Sequence, residues 1–161
     1  YQKIIDEEGL SGEIRVQGDN VFLEYWNNQK ATTESFKDGW FCTGDVAVLE
    51  SGYYRIMGRS SVDIIKSGGY KLSALEIEGV LLMHDAIAEV AGIGVEDETW
   101  GESVTAFISV NLGATLEFGE LRAWCDGKMS SYKIPKSIKL IDTLPRNAMG
   151  KVTKPALKAM L

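Results

Sequence analysis

A glycine pair between two short runs of alternating apolar residues is the feature that most limits how this chain can fold. Residues 62–66 read Val-Asp-Ile-Ile-Lys, residues 67–69 read Ser-Gly-Gly, and residues 70–72 read Tyr-Lys-Leu. Because glycine adopts the positive φ angles of tight turns at no steric cost, the pattern predicts a β-hairpin with a glycine-rich tip. Ser73 and Glu76 have the spacing of a capping box, which predicts that a helix begins directly after the hairpin.

Hydrophobic periodicity predicts further elements on both sides of this hairpin. They are strands over residues 11–17, 40–49, 53–57, 86–95, 103–111 and 137–141, and helices over residues 28–36 and 118–129 and from Thr153 to the end. We therefore predict an α/β (α+β) fold. Residues 1–58 form the β-rich end of a larger domain, residues 59–63 a hinge, and residues 64–161 a small, mobile domain with a three-stranded sheet flanked by helices.

Composition narrows the class of protein. Hydrophobic residues make up 45% and charged residues 25% of the 161 residues, as in an ordinary globular protein. The sequence contains no apolar run of 18 residues and no signal-peptide pattern, so we expect no membrane span and a cytoplasmic location, with an organelle-targeted parent left open. The chain does not begin with Met, so we expect a fragment of a longer protein.

Charge is distributed unevenly along the chain. Residues 1–58 carry 5 Lys and Arg against 10 Asp and Glu, whereas residues 131–161 carry 7 against one. A basic segment beside an acidic body suits a small phosphorylated ligand. The segment has little aromatic interleaving, so we expect no nucleic-acid partner. Cys42, Cys125 and the single histidine, His84, lack metal-ligand spacing, so we predict no metal site in this chain.

Residues 145–154, Pro-Arg-Asn-Ala-Met-Gly-Lys-Val-Thr-Lys, form a loop bounded by proline and glycine that carries Lys151 just before a predicted helix. Such a loop suits a mobile cation that is delivered to an anionic reaction centre. Taken alone, it is more typical of a surface turn with a solvated lysine.

Three motifs, in a fixed order, decide between these interpretations. They are Thr43-Gly44-Asp45, then Gly58-Arg59 with the hairpin tip and Glu76-Ile77-Glu78, then residues 145–151. In this order and spacing they resemble the adenylate-forming (AMP-binding) family, which includes acyl-CoA synthetases, peptide-synthetase adenylation domains and luciferases. The resemblance covers essentially the whole chain. The amino-acid sequences of the hairpin and of residues 145–151 are most similar to those of malonyl-CoA synthetases and their acyl-CoA synthetase relatives.

The resemblance implies an AMP-forming acid–thiol ligase, which activates a carboxylic acid with ATP and transfers the acyl group to CoA. It assigns Lys151 to stabilisation of the charge that develops when the carboxylate attacks the α-phosphate. Asp45 would accept hydrogen bonds from the ribose hydroxyls of ATP, and Arg59 would bind the ribose and phosphate side of the nucleotide.

The remaining implied roles concern the second half-reaction. Gly68 and Gly69 would line the tunnel for the pantetheine thiol, where a side chain would obstruct it. Lys71 would meet the phosphates of CoA. Rotation about a hinge would exchange Lys151 for the glycine tip, with Ser61 in the pivot position by counting and Asp63 as a competitor.

The family's phosphate-binding loop and acyl-binding domain are not recognisable in these 161 residues. We therefore expect the chain to be inactive alone, to require the missing N-terminal domain as its partner, and to contribute no ligands to Mg²⁺. The acid substrate is left open. Two alternatives also stay open: an adenylation domain that acts on a carrier-protein thiol, and a non-catalytic α/β binding module.

Overall fold

A computed structural model describes residues 6–161 of the chain. Its contacts divide the chain into an N-terminal unit, which ends at Ser61, and a C-terminal unit, which begins at Val62. Residues 59–63 span this border, and their role as a hinge stays a prediction.

The N-terminal unit is built around one long strand. Its elements are β1 (Ser11–Val16), α1 (Gln29–Ser35), β2 (Phe36–Lys37), β3 (Trp40–Glu50) and β4 (Tyr53–Arg59). Strand β3 pairs antiparallel with β1, β2 and β4. Helix α1 begins after Asn28, whose side chain accepts a hydrogen bond from the backbone N–H of Ala31 at 3.0 Å.

The C-terminal unit contains one five-stranded sheet with helices on its faces. Its elements are β5 (Ile64–Ser67), β6 (Tyr70–Ser73), α2 (Ala74–Leu81), β7 (Ile87–Asp97), β8 (Gly101–Val110), α3 (Phe118–Cys125), β9 (Ser137–Leu140) and α4 (Lys154–Lys158). The strand order is β6-β5-β8-β7, and β9 pairs parallel with β8. Helix α2 begins where predicted, because the Ser73 hydroxyl accepts a hydrogen bond from the Glu76 N–H at 3.2 Å.

Side chains of β8 alternate between two apolar clusters. Ala106 and Ile108 belong to the cluster that contains the buried residues of α2 and α3, whereas Phe107 belongs to a smaller cluster with Leu144 and Leu157. Leu157 is fully buried and ties the short helix α4, which directly follows the Lys151 loop, to the sheet.

The predicted α/β fold class is confirmed, with differences in detail. The predicted three-stranded sheet has five strands, because the hairpin joins it through the pairing of Ser67 with Gly101. This is a long-range contact for which the sequence carries no local signal. Helix α3 ends at Cys125, four residues earlier than predicted, and the Thr153 side chain makes no capping hydrogen bond to α4. Among the described residues, no helix is long and apolar enough to cross a membrane.

Candidate functional site

Asp45 and Arg59, the two predicted nucleotide ligands, face each other across β3 and β4. Regular pairing from the turn would place Gly58 opposite Asp45, but Met57 is an extra residue in a β-bulge and shifts the register by one. Arg59 Nε consequently lies 3.0 Å from Asp45 Oδ1. The bulge therefore places Arg59 where it forms an ion pair with Asp45. The sequence had suggested the two residues only as separate ligands of the nucleotide.

The backbone around Gly44 shapes this site. Gly44 has φ of +76°, and a Cβ atom there would lie 3.3 Å from Nη1 of Arg59. The Thr43 hydroxyl donates to the Ile14 carbonyl at 2.8 Å and accepts from the Asp45 N–H at 3.1 Å. The Gly44 N–H donates to the Glu13 carboxylate at 3.2 Å, a contact that sequence reasoning missed because Glu13 lies in a different strand.

Asp45 and Arg59 line an open cavity of about 530 Å³ within the N-terminal unit. Tyr25, Cys42 and Glu13 also line it. The side chains of Arg59 and Asp45 are 60% and 36% exposed, so both can reach a ligand. A carboxylate that accepts from hydroxyl groups beside a guanidinium that binds phosphate fits the polar part of a nucleotide.

The tip of the β5–β6 hairpin consists of Gly68 and Gly69, with φ of +56° and +83°. Positive φ at both central residues is typical of a type I′ turn, and the predicted hairpin with a glycine-rich tip is present. The two glycines have different surroundings: a Cβ on Gly68 would lie 2.9 Å from the Trp100 ring, whereas a Cβ on Gly69 would meet nothing within 4 Å. Gly68 also donates its N–H to the Trp100 carbonyl at 2.9 Å. Sequence reasoning missed Trp100.

Lys71 lies on β6 directly opposite Lys66 on β5, and both side chains are exposed. Like charges in directly opposite positions are unfavourable in a sheet. An anion bound beside the hairpin would offset this repulsion, which is consistent with the predicted contact of Lys71 with phosphate.

Lys151 is exposed on a loop whose backbone is highly ordered by hydrogen bonds. The side-chain oxygen of Asn147 accepts from the N–H groups of Met149 and Lys151, each at 3.0 Å. The Asn147 N–H in turn donates to the Lys151 carbonyl at 2.9 Å. Arg146 pairs with Val152 in an isolated β-bridge across the base of the loop. The loop therefore presents Lys151 on a defined backbone with its ammonium group in solvent.

Arg146 anchors the Lys151 loop to the sheet. Its guanidinium donates to the Gly150 carbonyl at 2.8 Å and forms an ion pair with Glu89 on β7. The glycine tip lies beside Gly101, which pairs with Asp97 eight residues further along β7. A strand rises about 3.3 Å per residue, so Glu89 and Asp97 lie roughly 26 Å apart along β7. The structure does not bring the Lys151 anchor and the glycine tip together.

Asp63 and Ser61, the two candidate hinge residues, differ in environment. Ser61 is exposed at the end of the N-terminal unit, whereas Asp63 is buried in the C-terminal unit. Lys154 Nζ lies 2.6 Å from Asp63 Oδ1 and 2.8 Å from Glu78 Oε1. Burial raises the pKa of the Glu78 carboxyl above 4.5, and Lys154 and the Gly92 N–H partly offset that effect.

Residues 6–161 contain no group of three or more His, Cys, Asp or Glu side chains arranged to hold a metal ion. Cys42 and Cys125 are both free thiols.

Comparison with known proteins places these motifs in a family. Residues 76–151 match the AMP-binding enzyme C-terminal domain. The chain belongs to the adenylate-forming enzyme family. It is 49% identical over 155 residues to the mitochondrial malonate–CoA ligase of Mus musculus. The aligned residues make up 96% of this chain and 27% of the mouse protein. The chain thus spans about a quarter of the length of that curated relative.

Two solved structures of adenylate-forming enzymes show the same fold. The o-succinylbenzoate-CoA synthetase of Bacillus subtilis, in complex with an acyl-adenylate intermediate, is 38% identical with a TM-score of 0.84 over 94% of this chain and 31% of its own. The ATP-bound MatB of Rhodopseudomonas palustris is 36% identical with a TM-score of 0.84 over 96% of this chain and 31% of its own. Both match across the two units.

Proposed function

We propose that this chain is the C-terminal part of an AMP-forming acid–thiol ligase that acts on a small dicarboxylic acid of the malonate class. The observation that carries the reaction type is the ordered loop that presents Lys151 to solvent. The substrate class is supported by the 49% identity to a malonate–CoA ligase. The acyl pocket lies outside this chain, in the missing N-terminal domain.

In the first half-reaction the carboxylate of the acid attacks the α-phosphate of ATP, and pyrophosphate leaves. Negative charge accumulates on the phosphoryl oxygens, and the Lys151 ammonium stabilises it electrostatically. Because the Lys151 backbone is fixed by Asn147, little reorganisation is required when the side chain engages. The α-phosphate becomes part of the acyl-adenylate, and Lys151 itself forms no covalent bond.

Asp45 and Arg59 bind the nucleotide through this half-reaction. Arg59 Nε contacts Oδ1 of Asp45 at 3.0 Å, and the Asp45 side chain is 36% exposed, so the carboxylate can also accept from a ribose hydroxyl. The guanidinium supplies further donors for the ribose and phosphate side. Mg²⁺, when bound, would neutralise phosphate charge, and its ligands would come from ATP and from the missing domain.

In the second half-reaction the CoA thiol displaces AMP from the acyl-adenylate. We assign the approach of pantetheine to the Gly68–Gly69 tip, with Lys71 and Lys66 as contacts for CoA phosphates. The roughly 26 Å between the levels of the tip and of the Lys151 anchor supports alternate use of the two sites. Ser61, exposed at the border of the units, is the better pivot, since Asp63 is held by Lys154.

The test separates the two half-reactions in the full-length protein that carries this chain. Malonate-dependent ATP–pyrophosphate exchange measures adenylation, and release of AMP from a supplied acyl-adenylate with CoA measures thiol transfer. Lys151→Ala should lower exchange by about 10²–10³-fold and leave thiol transfer near wild type, because only the first step develops charge beside this lysine.

Gly69→Trp should have the reverse effect, with Gly69→Ala as the control for backbone strain. A Cβ atom on Gly69 would meet nothing within 4 Å, so the substitution adds its bulk at an open position of the tip. Loss of thiol transfer in Lys151→Ala with normal exchange would refute the role of Lys151. Comparable activity with a carrier-protein thiol would move the protein to the peptide-synthetase type.

A further inference from the structure

Lys154 carries a buried positive charge that the proposed reaction does not use. Its ammonium group bridges Asp63 and Glu78 at 2.6 and 2.8 Å, and all three side chains are only 11–13% exposed. The Glu78 oxygen also accepts from the Gly92 N–H of β7 at 2.8 Å. Removing charges from water is costly, and replacement of such clusters by apolar residues is often neutral for stability. The cluster is therefore better explained by the relative positions in which it holds the chain segments that carry Asp63, Glu78 and Lys154.

The cluster joins three segments that are far apart in sequence. Asp63 lies two residues after the border of the units, and its carbonyl accepts from the Ala74 N–H at the start of α2. Glu78 lies on α2 itself. Lys154 begins α4, only three residues after Lys151 and 91 residues after Asp63.

The Lys151 loop is thus held at both ends. The Arg146–Glu89 ion pair holds its N-terminal end on β7. At its C-terminal end the Thr153 N–H donates to the Pro145 carbonyl at 2.8 Å, and the next residue, Lys154, enters the buried cluster. Between these anchors, the backbone of Lys151 is held by hydrogen bonds to Asn147.

We propose that Lys154 is a positioning residue for Lys151: it fixes the C-terminal end of the loop to Asp63 and Glu78 and so sets where the Lys151 ammonium reaches. The inference rests on the proposed function of Lys151. A misplacement of about 1 Å in a reacting group costs roughly 10²-fold in rate, so an anchor three residues away has a measurable effect on adenylation.

The experiment is a double-mutant cycle in the full-length protein, read by malonate-dependent ATP–pyrophosphate exchange. Lys154→Met should lower exchange by about 10²-fold. In a Lys151→Ala background, Lys154→Met should lower exchange little further, because residues that act as a unit are strongly non-additive. Lys158→Met is the matched control, since Lys158 lies on the same helix and is exposed. Thiol transfer from a supplied acyl-adenylate should stay near wild type in every variant.

The possible results separate the positioning role from a structural one. Equal losses in both half-reactions, or a full additional loss in the Lys151→Ala background, would show a structural role and overturn the inference. If Lys154→Met fails to fold, the neutralised cluster Asp63→Asn, Glu78→Gln and Lys154→Met removes the uncompensated charge and should show the same selective loss. Normal exchange in Lys154→Met beside a loss in Lys151→Ala refutes the positioning alone; normal exchange in Lys151→Ala refutes the proposed function as well.

Discussion

The two glycines of the hairpin tip allow steric contact and backbone strain to be separated in one experiment. Alanine at either position must adopt a positive φ angle, at a cost of about 1–2 kcal/mol. Only at position 68 does the added Cβ meet another group, at 2.9 Å from Cε3 and 3.2 Å from Cζ3 of Trp100. Overpacking a buried core typically costs about 1–3 kcal/mol, and the Trp100 ring is 49% exposed, so its displacement belongs at the lower end of that range.

We therefore expect Gly68→Ala to destabilise the β5–β6 hairpin by about 1 kcal/mol more than Gly69→Ala. Amide hydrogen exchange of residues 64–73 in the full-length protein measures this difference as a local opening free energy. The Gly68 N–H itself should lose protection as its 2.9 Å bond to the Trp100 carbonyl weakens. Equal protection in both variants would mean that Trp100 does not restrict the tip, and the assignment of Gly68 to packing would be wrong.

Two further predictions concern Glu78 and Asn147. Glu78 has a raised pKa in the folded protein, so its stabilising contribution is complete below pH 4.5 and is lost as pH rises through the higher folded value. Wild type should accordingly lose unfolding free energy relative to Glu78→Gln across that window, measured by urea titrations at several pH values; an equal or opposite slope would contradict the cause given. Asn147→Ala removes the acceptor for the Met149 and Lys151 N–H groups. It should raise the activation free energy of adenylation by about 0.5–1.5 kcal/mol, which lowers the rate by up to about tenfold. Asn147→Asp keeps the acceptor and should retain most of the pyrophosphate exchange; a loss as large as in Asn147→Ala would contradict the role of the oxygen.

Local features of this fold were predictable because their causes are local. Gly68 and Gly69 have the positive φ angles that the turn requires, and the Ser73 hydroxyl caps α2 at the predicted residue. The positions of the strands were also predictable from their apolar runs, although β8 is buried on both faces and its side chains divide between two clusters. The resemblance then led to Asp45, Arg59 and Lys151, and their functional roles stay predictions until the variants are measured.

Other features depend on pairing between distant residues and could not be predicted. The Asp45–Arg59 ion pair exists because a bulge at Met57 shifts the β3–β4 register. Gly58, with φ of +120°, lies at this bulge, but a glycine in a strand does not by itself specify the register that results. Lys154 meets Asp63 across 91 residues of sequence. Both contacts depend on the complete tertiary arrangement, which periodicity and turn signals do not specify.

The two cysteines allow a chemical test of whether a nucleotide binds in the cavity lined by Asp45 and Arg59. Cys42 lines the cavity beside Asp45, whereas Cys125 is buried in α3 and burial raises the pKa of its thiol. Since the thiolate is the nucleophile, an alkylating reagent applied to the native fold modifies Cys42 and spares Cys125. Within this chain, the rate of alkylation thus reports whether a nucleotide covers the cavity, and modification of Cys125 reports unfolding of the C-terminal unit.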